Sequence, residues 1–322
     1  MKKLLALLVA LVMLLSVAAA LADPLKVGII NSPPEESAYF ETNVRDFERY
    51  FTAENGYDAV TACAADTAGQ QEAARRFIAD GVKYLLVSAA ESAGWDSVLA
   101  EARDAGVTVI LFSRMIDCDP GLYAAAVVSD YAAQGANAVA WLEYAGLEEY
   151  NVVHVQGTLG SVIQLGRSEA LEAAFADGSM NKVAQQSASW NEEEAKAFVA
   201  SVIQSGRKFN VIYAESDIMA KGAVAALDDA GITHGADGDV VIVSFDGSAW
   251  ALRELLDGNW NYDGQCSPYQ APFVDMMIKT LDAGGDLSDF GLDDLKRIVS
   301  EEMGFVTGEI TEEYVWAFGL GE

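Results

Sequence analysis

Basic residues, histidine and cysteine are scarce in this chain of 322 residues. It has 20 Lys and Arg against 49 Asp and Glu, with only 2 His and 3 Cys, and its formal net charge is −29. Nucleic acids and anionic membranes favour basic patches, so the sequence argues against both as partners. Zinc needs clustered Cys or His ligands, and these residues do not cluster, so we expect no metal site.

The few cysteines and histidines have simple structural explanations. Cys63, Cys118 and Cys266 lie far apart in the sequence. They could form one disulfide in an oxidising compartment, but they do not make a disulfide scaffold. His154 lies in the apolar stretch "NVVHVQG", which predicts a buried structural histidine rather than a ligand.

Motifs of common enzymes are also missing. No G-x-S-x-G elbow, Walker loop or G-x-G-x-x-G occurs where its chemistry would require it. "GTLGS" at 157–161 could bind an anion but is more typical of a tight turn between strand and helix. Paired carboxylates can hydrolyse glycosides, yet acids are too abundant here for a pair to be informative. We therefore expect neither an enzyme nor a bound cofactor.

A long apolar run occurs only at the amino terminus. Lys2 and Lys3 precede apolar residues 4–15, and the small-residue stretch "VAAALAD" follows. This layout is typical of a secretory signal, and its core is short for a membrane-spanning helix. We expect residues 1–22 to be a cleaved signal peptide, with no lipid anchor because no cysteine lies near the cleavage point. The protein is then soluble in the periplasm or otherwise outside the cytoplasm.

Strand-like and helix-like segments alternate along the rest of the chain. The strand-like segments are "LKVGII" (25–30), "YDAVTAC" (57–63), "KYLLVSA" (83–89), "VTVILF" (107–112), "AAAVV" (124–128), "NVVHV" (151–155), "KVAQQSA" (182–188), "NVIYA" (210–214) and "DVVIVSF" (239–245). This alternation predicts an α/β fold with parallel sheets covered by helices on both faces. The length favours two lobes, and the similarity of segment 85–114 to segment 211–247 suggests that the lobes are alike.

Polar and aromatic side chains collect where the predicted strands end. Ligands of doubly wound sheets bind outside these carboxyl ends. In the first half the residues are Glu35, Glu36, Ser37, Tyr39, Phe40, Glu91, Ser113 and Arg114; in the second they are Gln156, Thr158, Trp190, Glu215, Ser216, Asp217 and Asp246. Aromatic faces pack on the C–H side of a sugar ring, and charged groups make strong hydrogen bonds to hydroxyls. The set therefore favours binding of a neutral polyol.

Several segments, taken in order, resemble a known family. They are "ETNVRDF" (41–47), "SAGWDSVLAEARDAGVTVILFSRMID" (92–117), "VVHVQGTLGSVIQLGRSEAL" (152–171), "YAESDIMAKGAVAAL" (213–227) and "SFDG" (244–247). The chain resembles the ribose-binding type of periplasmic sugar-binding proteins of ABC transporters, and within it the galactofuranose-binding branch. The resemblance covers almost all of the chain after the predicted signal.

The resemblance implies two doubly wound parallel-sheet lobes joined by a three-stranded hinge, the type I periplasmic binding protein fold. The lobes are expected at 23–129 plus 267–294 and at 130–266 plus 295–322. The three crossings are expected near 128–130, 265–267 and 292–296. The implied function is capture of a monosaccharide, such as galactofuranose, galactose or ribose, and its delivery to an ABC permease in the membrane. A monomer is expected.

The resemblance also implies a set of ligand-binding residues. In the family, an aromatic pair and an opposing aromatic enclose the sugar, and two arginines and an aspartate bind it. The expected set here is Glu36, Ser37, Tyr39, Phe40, Ser113, Arg114, Arg167, Trp190, Ser216, Asp217, Asp246 and Gln265, with Cys266 as the alternative to Gln265.

Two positions depart from the family pattern. Ser113 stands where relatives usually have Asp, and Ser216 stands where they often have Asn. Asp117 or Glu36 could supply the missing carboxylate beside Arg114. The identity of the sugar is therefore open.

Two other functions remain at this point. A receptor of the same fold could bind another small polar ligand, such as a polyol, a cyclitol or a quorum signal. A secreted carbohydrate-active enzyme is the second alternative.

Overall fold

The structure is a computed structural model that describes residues 23–321. The predicted signal peptide, residues 1–22, lies outside the described residues. Between 23 and 321, no helix is both long and apolar enough to cross a membrane. This part of the chain forms two lobes, each built on a six-stranded sheet.

The first lobe is a parallel sheet with helices on both faces. Its strands are β1 (Leu25–Asn31), β2 (Tyr57–Cys63), β3 (Tyr84–Val87), β4 (Thr108–Ser113), β5 (Ala125–Ser129) and β11 (Arg297–Ser300). They lie in the order β11-β5-β4-β3-β1-β2. Its helices are α1 (Ala38–Tyr50), α2 (Thr67–Ala79), α3 (Asp96–Asp104) and α9 (Ala271–Asp282).

Strand β4 shows why this sheet is apolar at almost every position. Val109 and Leu111 pack with α2 and α3, while Ile110 and Phe112 pack with α1 and α9 on the opposite face. Successive strand residues point to opposite faces, so a strand between two helical layers must be apolar throughout. The carboxyl end of β4 is therefore the place where polar residues follow.

The second lobe repeats this plan with one difference. Its strands are β6 (Asn151–Gln156), β7 (Asn181–Ser187), β8 (Val211–Ala214), β9 (Val241–Asp246), β10 (Tyr262–Gln265) and β12 (Gly304–Val306), in the order β12-β10-β9-β8-β6-β7. Its helices are α4 (Tyr131–Ala145), α5 (Val162–Asp177), α6 (Glu192–Gln204), α7 (Asp217–Asp229), α8 (Ala249–Leu256) and α10 (Glu312–Phe318). Strand β12 pairs antiparallel with β10. The predicted pair of doubly wound α/β lobes is confirmed, with this antiparallel edge added.

The chain crosses between the lobes three times. Two crossings, at 129–130 and 266–270, lie close to the predicted places. The third prediction, at 292–296, was wrong: Arg297–Ser300 pairs with β5 in the first sheet, so the crossing lies at 301–303. The predicted boundary at residue 295 moves with it to after Ser300. A four-residue strand whose side chains are only partly buried carries too weak a pattern to be assigned to a sheet from sequence.

Candidate functional site

A cleft of about 630 Å³ lies between the two lobes. This volume is in the range of small-molecule sites. It is lined by Pro34, Glu35, Glu36, Ser37, Ala38, Tyr39 and Glu41 of the first lobe, by Asp217, Ile218, Asp246, Ser248 and Trp250 of the second, and by Leu320 and Gly321. Five of the twelve predicted ligand residues are in this lining: Glu36, Ser37, Tyr39, Asp217 and Asp246.

The start of α1 carries the aromatic pair. Ser37 caps the helix by accepting a hydrogen bond from the backbone N–H of Phe40 at 3.3 Å. This places Tyr39 and Phe40 in the first turn, and Tyr39 lines the cleft. The Tyr39 hydroxyl donates to Ser113 Oγ at 2.9 Å. Ser113 is thus the hydrogen-bond partner of an aromatic side chain of the cleft.

Arg114 follows β4 directly and lies over the Phe40 ring, with 5.1 Å between the guanidinium carbon and the ring centroid. Its Nη1 donates to the Ala90 carbonyl at 3.0 Å. Its Nε is buried and has no hydrogen-bond partner within residues 23–321. A buried donor left unpaired costs about 1–3 kcal/mol, so this nitrogen is well suited to an incoming acceptor.

Glu36 is an acid of the cleft whose pKa depends on the charge of Arg114. Partial burial raises the pKa of Glu36, and the charge of Arg114 opposes that rise. Glu36 lines the cleft, whereas Asp117 is exposed. Of the two acids considered as replacements for a carboxylate at position 113, Glu36 is therefore the one that both lines the cleft and feels the charge of Arg114.

Arg167 lies on α5 and is 1% exposed. Its Nε donates to Gln134 Oε1 at 2.8 Å, its Nη1 to the Glu215 carbonyl at 2.5 Å, and its Nη2 pairs with Asp246 Oδ1 at 2.9 Å. Burial alone lowers the pKa of Arg167, but Asp246 more than reverses this effect and the net change is upward. All three guanidinium nitrogens are thus engaged by protein groups.

Close packing of two helices brings Arg167 to this place. A Cβ on Gly135 of α4 would lie 2.7 Å from the Arg167 carbonyl oxygen, and one on Gly166 would lie 2.6 Å from Tyr131 Cβ. Only glycine permits such an approach at both positions. The two glycines therefore fix how far Arg167 projects towards Asp246.

Asp246 ends β9 in a turn that two further carboxyls hold. Asp217 Oδ2 accepts the backbone N–H of Ser248 at 2.8 Å, and Asp263 Oδ1 accepts that of Gly247 at 3.2 Å. Burial raises the pKa of Asp217 to about 7 and that of Asp263 well above its usual range. Burial also raises the pKa of Asp246, but Arg167 opposes that rise. Asp246 is thus the carboxylate of this group that carries a cationic partner.

Trp190 lies in the turn between β7 and α6, over Gly157. A Cβ on Gly157 would come within 1.9 Å of the indole, so glycine is required for the ring to lie there.

Ser216 caps α7 by accepting from the Met219 N–H at 3.4 Å. Gln265 Oε1 accepts from the Met303 N–H at 3.1 Å, which ties its side chain to the third crossing, while the neighbouring Cys266 packs with Tyr39 and Tyr131.

Backbone strain coincides with the predicted ligand residues. Among residues 23–321, five non-glycine residues have positive φ: Ser113 (66°), Ser189 (49°), Trp190 (62°), Asp246 (121°) and Lys296 (56°). Such conformations cost about 1–3 kcal/mol each and concentrate at functional sites. Three of the five are predicted ligand residues, from both lobes, so the strain independently marks the same strand ends.

A family model described as periplasmic binding protein domain matches residues 27–281. The chain belongs to this family. It is 32% identical over 274 residues to the galactofuranose-binding protein YtfQ of Escherichia coli (strain K12), an alignment that covers 81% of this chain and 83% of that one. The predicted resemblance is confirmed.

Two solved structures are similar to this chain over most of their length. One, from Mycobacterium smegmatis in complex with β-D-fucofuranose, has a TM-score of 0.78 and 27% identity, and covers 88% of this chain and 91% of that one. The other is the binding component of an arabinose ABC transporter from Shewanella sp. ANA-3, bound to α- and β-L-arabinofuranose. It has a TM-score of 0.78 and 25% identity, with coverage of 91% and 93%.

His154 and the three cysteines lie outside the cleft lining. His154 is fully buried, with Nε2 at 2.9 Å from Glu215 Oε1 and Nδ1 at 3.2 Å from Gln185 Nε2, which confirms a structural histidine. The three cysteines are free, so the disulfide considered above is not formed. No group of three His, Cys, Asp or Glu within residues 23–321 is arranged to hold a metal ion.

Four residues of the site region were not predicted from the sequence. Tyr131 donates to the Ser113 carbonyl at 3.2 Å, and Gln134 connects Arg167 to Glu302 of the third crossing. Leu320 lies in the cleft although it is distant in sequence from the other lining residues. Of the four, only Tyr131 had a usable signal, since an aromatic begins a helix directly after a predicted crossing.

Proposed function

We propose that this protein is the extracytoplasmic receptor of an ABC importer and captures a monosaccharide, most readily in a furanose form, in the cleft between its lobes. The proposal is carried by two groups of opposite charge, one at a strand end of each lobe. Arg114, with an unpaired Nε, belongs to the first lobe, and the carboxylate Asp246 belongs to the second. Neighbouring hydroxyls of a sugar can bind both at once.

Aromatic residues of both lobes account for the recognition of the apolar C–H faces of such a sugar. We expect the rings of Tyr39 and Phe40 in the first lobe and of Trp190 in the second to pack on the C–H faces of the sugar ring. The E. coli relative binds galactofuranose and the two solved relatives hold furanose sugars, by their names. These relatives support a furanose as the first ligand to test.

Binding is expected to close the lobes about the three crossings, the hinge motion by which periplasmic binding proteins enclose their ligands. A micromolar affinity corresponds to about −8 kcal/mol. Hydrogen bonds to charged groups contribute about 1.5–3 kcal/mol each, so a few contacts suffice without metal or covalent chemistry. The closed form would then present both lobes to a membrane permease. Export by a signal peptide at residues 1–22 is part of this proposal.

The test is a thermal-shift screen of residues 23–322, followed by calorimetry on every compound that raises the melting temperature. The panel contains pentoses, hexoses, methyl furanosides and methyl pyranosides of the same sugars, and polyols including a cyclitol. We expect furanosides to stabilise the protein more than the matching pyranosides. A response to cyclitols alone would favour the receptor for another polar ligand, and a flat panel would overturn sugar capture.

Two further measurements address catalysis and export. A sugar recovered unchanged after long incubation with the protein supports a receptor, whereas cleavage of a glycoside would support the carbohydrate-active enzyme. Expression of the full chain followed by N-terminal sequencing of the exported form should give Asp23 as the first residue. Recovery of the chain with its first 22 residues intact would contradict the signal peptide.

A further inference from the structure

The segment after α10, residues 319–321, is bound to the turn that carries Asp246. The Leu320 N–H donates to the Gly247 carbonyl at 3.0 Å, and the Ala249 N–H donates to the Leu320 carbonyl at 2.9 Å. Gly319 has no room for a side chain, since a Cβ would lie 2.8 Å from Ala249 Cα. The backbone of this segment is therefore fixed to the second lobe.

The Leu320 side chain reaches the other lobe. It is 2% exposed and clusters with Tyr39 at the start of α1, Tyr131 after the first crossing and Cys266 at the second. A Cβ on Gly321 would lie 3.1 Å from Ala38 Cβ of the first lobe. Burial of Leu320 is specific, because Trp316, four residues earlier, is 85% exposed.

Leu320 and Gly321 also line the cleft itself, together with Tyr39, Asp217 and Asp246. Tyr39 is hydrogen-bonded to Ser113 through its hydroxyl, and Leu320 packs against it. The leucine is thus an apolar contact of the proposed sugar-stacking ring, anchored on the same turn as the proposed ligand carboxylate.

We propose that Leu320 is a specificity-determining residue: it closes the cleft beside Tyr39 and limits the ligand to the size of a monosaccharide. This inference rests on the function proposed above. Leu320 sets the space next to Tyr39 and joins the two lobes. Shortening its side chain enlarges the cleft, and lengthening it fills the space that a ligand needs.

The test compares Leu320→Ala, Leu320→Met and Leu320→Phe with the parent protein. The probes are L-arabinose, D-galactose, methyl β-D-galactofuranoside and the larger benzyl β-D-galactofuranoside, all measured by calorimetry. Because one methylene in a pocket is worth about 10–200-fold, we expect Leu320→Ala to shift the preference towards the benzyl glycoside by roughly 10-fold or more. Leu320→Phe should weaken the smaller probes by a similar factor, and Leu320→Met, of similar volume, should resemble the parent.

Trp316→Ala is the matched control, since this side chain of α10 is exposed and lies outside the cleft lining; it should leave all affinities unchanged. Unchanged relative affinities in both Leu320→Ala and Leu320→Phe would overturn the inference. If the parent binds none of the probes, hydrogen exchange of the unliganded proteins still decides the contact. Faster exchange at residues 37–41 in Leu320→Ala supports the lobe contact, and identical exchange overturns it, whatever becomes of the sugar proposal.

Discussion

The two arginines of the site differ in how many of their guanidinium nitrogens are bound by other protein groups. Arg167 in the second lobe is fully buried and uses all three nitrogens on Gln134, Glu215 and Asp246. Arg114 in the first lobe stacks on Phe40, makes one bond to Ala90, and leaves its buried Nε unpaired within residues 23–321. One guanidinium is therefore fully bound by protein groups, Asp246 among them, whereas the other keeps an unpaired donor, which we propose binds the ligand.

This difference separates stability from binding. Removing a group that pairs with buried partners leaves a buried charge without its partner and destabilises the fold. Removing a group with an unused donor affects mainly the ligand that the donor would bind. The two lobes can therefore be tested separately by changing one arginine at a time.

The largest effect is expected for Arg167→Met. The substitution leaves Asp246 without its cation and the Glu215 carbonyl without its donor, so we expect a loss of about 3–5 kcal/mol in the free energy of unfolding. Urea denaturation measures it. Arg75→Met, which removes an exposed pair with Glu101, should cost about 0–1 kcal/mol. Equal losses in the two variants would mean that Arg167 is not the structural arginine.

Arg114→Ala should abolish sugar binding and leave the fold intact. Charge-assisted hydrogen bonds contribute about 1.5–3 kcal/mol each, so loss of two corresponds to an affinity decrease of roughly 100-fold or more. Calorimetry with the sugar found in the screen, together with a urea titration, gives both quantities. Arg103→Ala, in an exposed pair with Asp104, is the control. Normal binding by Arg114→Ala would show that the ligand arginine was assigned wrongly.

Trp190→Ala tests whether the second lobe contacts the ligand through a residue other than Asp246. An aromatic face contributes about 0.5–1.5 kcal/mol beyond its buried area, so we expect affinity to fall by roughly 10-fold. Trp190→Phe should retain most of it, because a ring face remains. In the parent, tryptophan emission should change on sugar binding, and this change should be smaller in Trp190→Phe. An unchanged emission response in that variant would place Trp190 outside the site.

The local sequence pattern was sufficient to predict the two α/β lobes and to locate the residues that follow their strands. "VTVILF" is apolar at nearly every position, and β4 is indeed covered on both faces, which puts Arg114 at the rim. Ser113, Trp190 and Asp246 also follow strands or turns that the alternation located. Their left-handed backbones could not be read from the sequence, because nothing local requires φ of 66°, 62° or 121° there.

Features set by distant contacts could not be predicted. Arg167 and Arg114 look equivalent in sequence, yet only the tertiary packing of α4 on α5 buries Arg167 among its partners. The short strand at 297–300 joins the first sheet through β5, which lies far earlier in the chain. Leu320 becomes part of the cleft only through backbone bonds to Gly247 and Ala249.

The smallest expected effect concerns the acids that hold Asp246 in place. Asp217 and Asp263 each act on the pKa of the other, and Asp217 Oδ1 and Asp263 Oδ2 are buried without a hydrogen-bond partner within residues 23–321, so we expect the two carboxyls to share a proton. Arg167 faces this group through Asp246, and the charge of Asp263 acts on Tyr262.

Burial raises both native pKa values above the 3.8 of a free aspartate, to about 7 for Asp217. The folded state therefore keeps protons that the unfolded chain loses as pH rises from about 4. Stability must therefore fall as pH rises over that range.

Asp263→Asn keeps an acceptor for Gly247 and supplies an amide donor to Asp217, so it removes much of this dependence. In urea titrations between about pH 4.5 and pH 7.5, we expect the variant to gain on the parent as pH rises, by about 1 kcal/mol or more at the upper end. Asp58→Asn, at an exposed position of β2, should follow the parent. Parallel pH profiles for the parent and Asp263→Asn would show that Arg167, rather than a shared proton, balances the charge of the whole group.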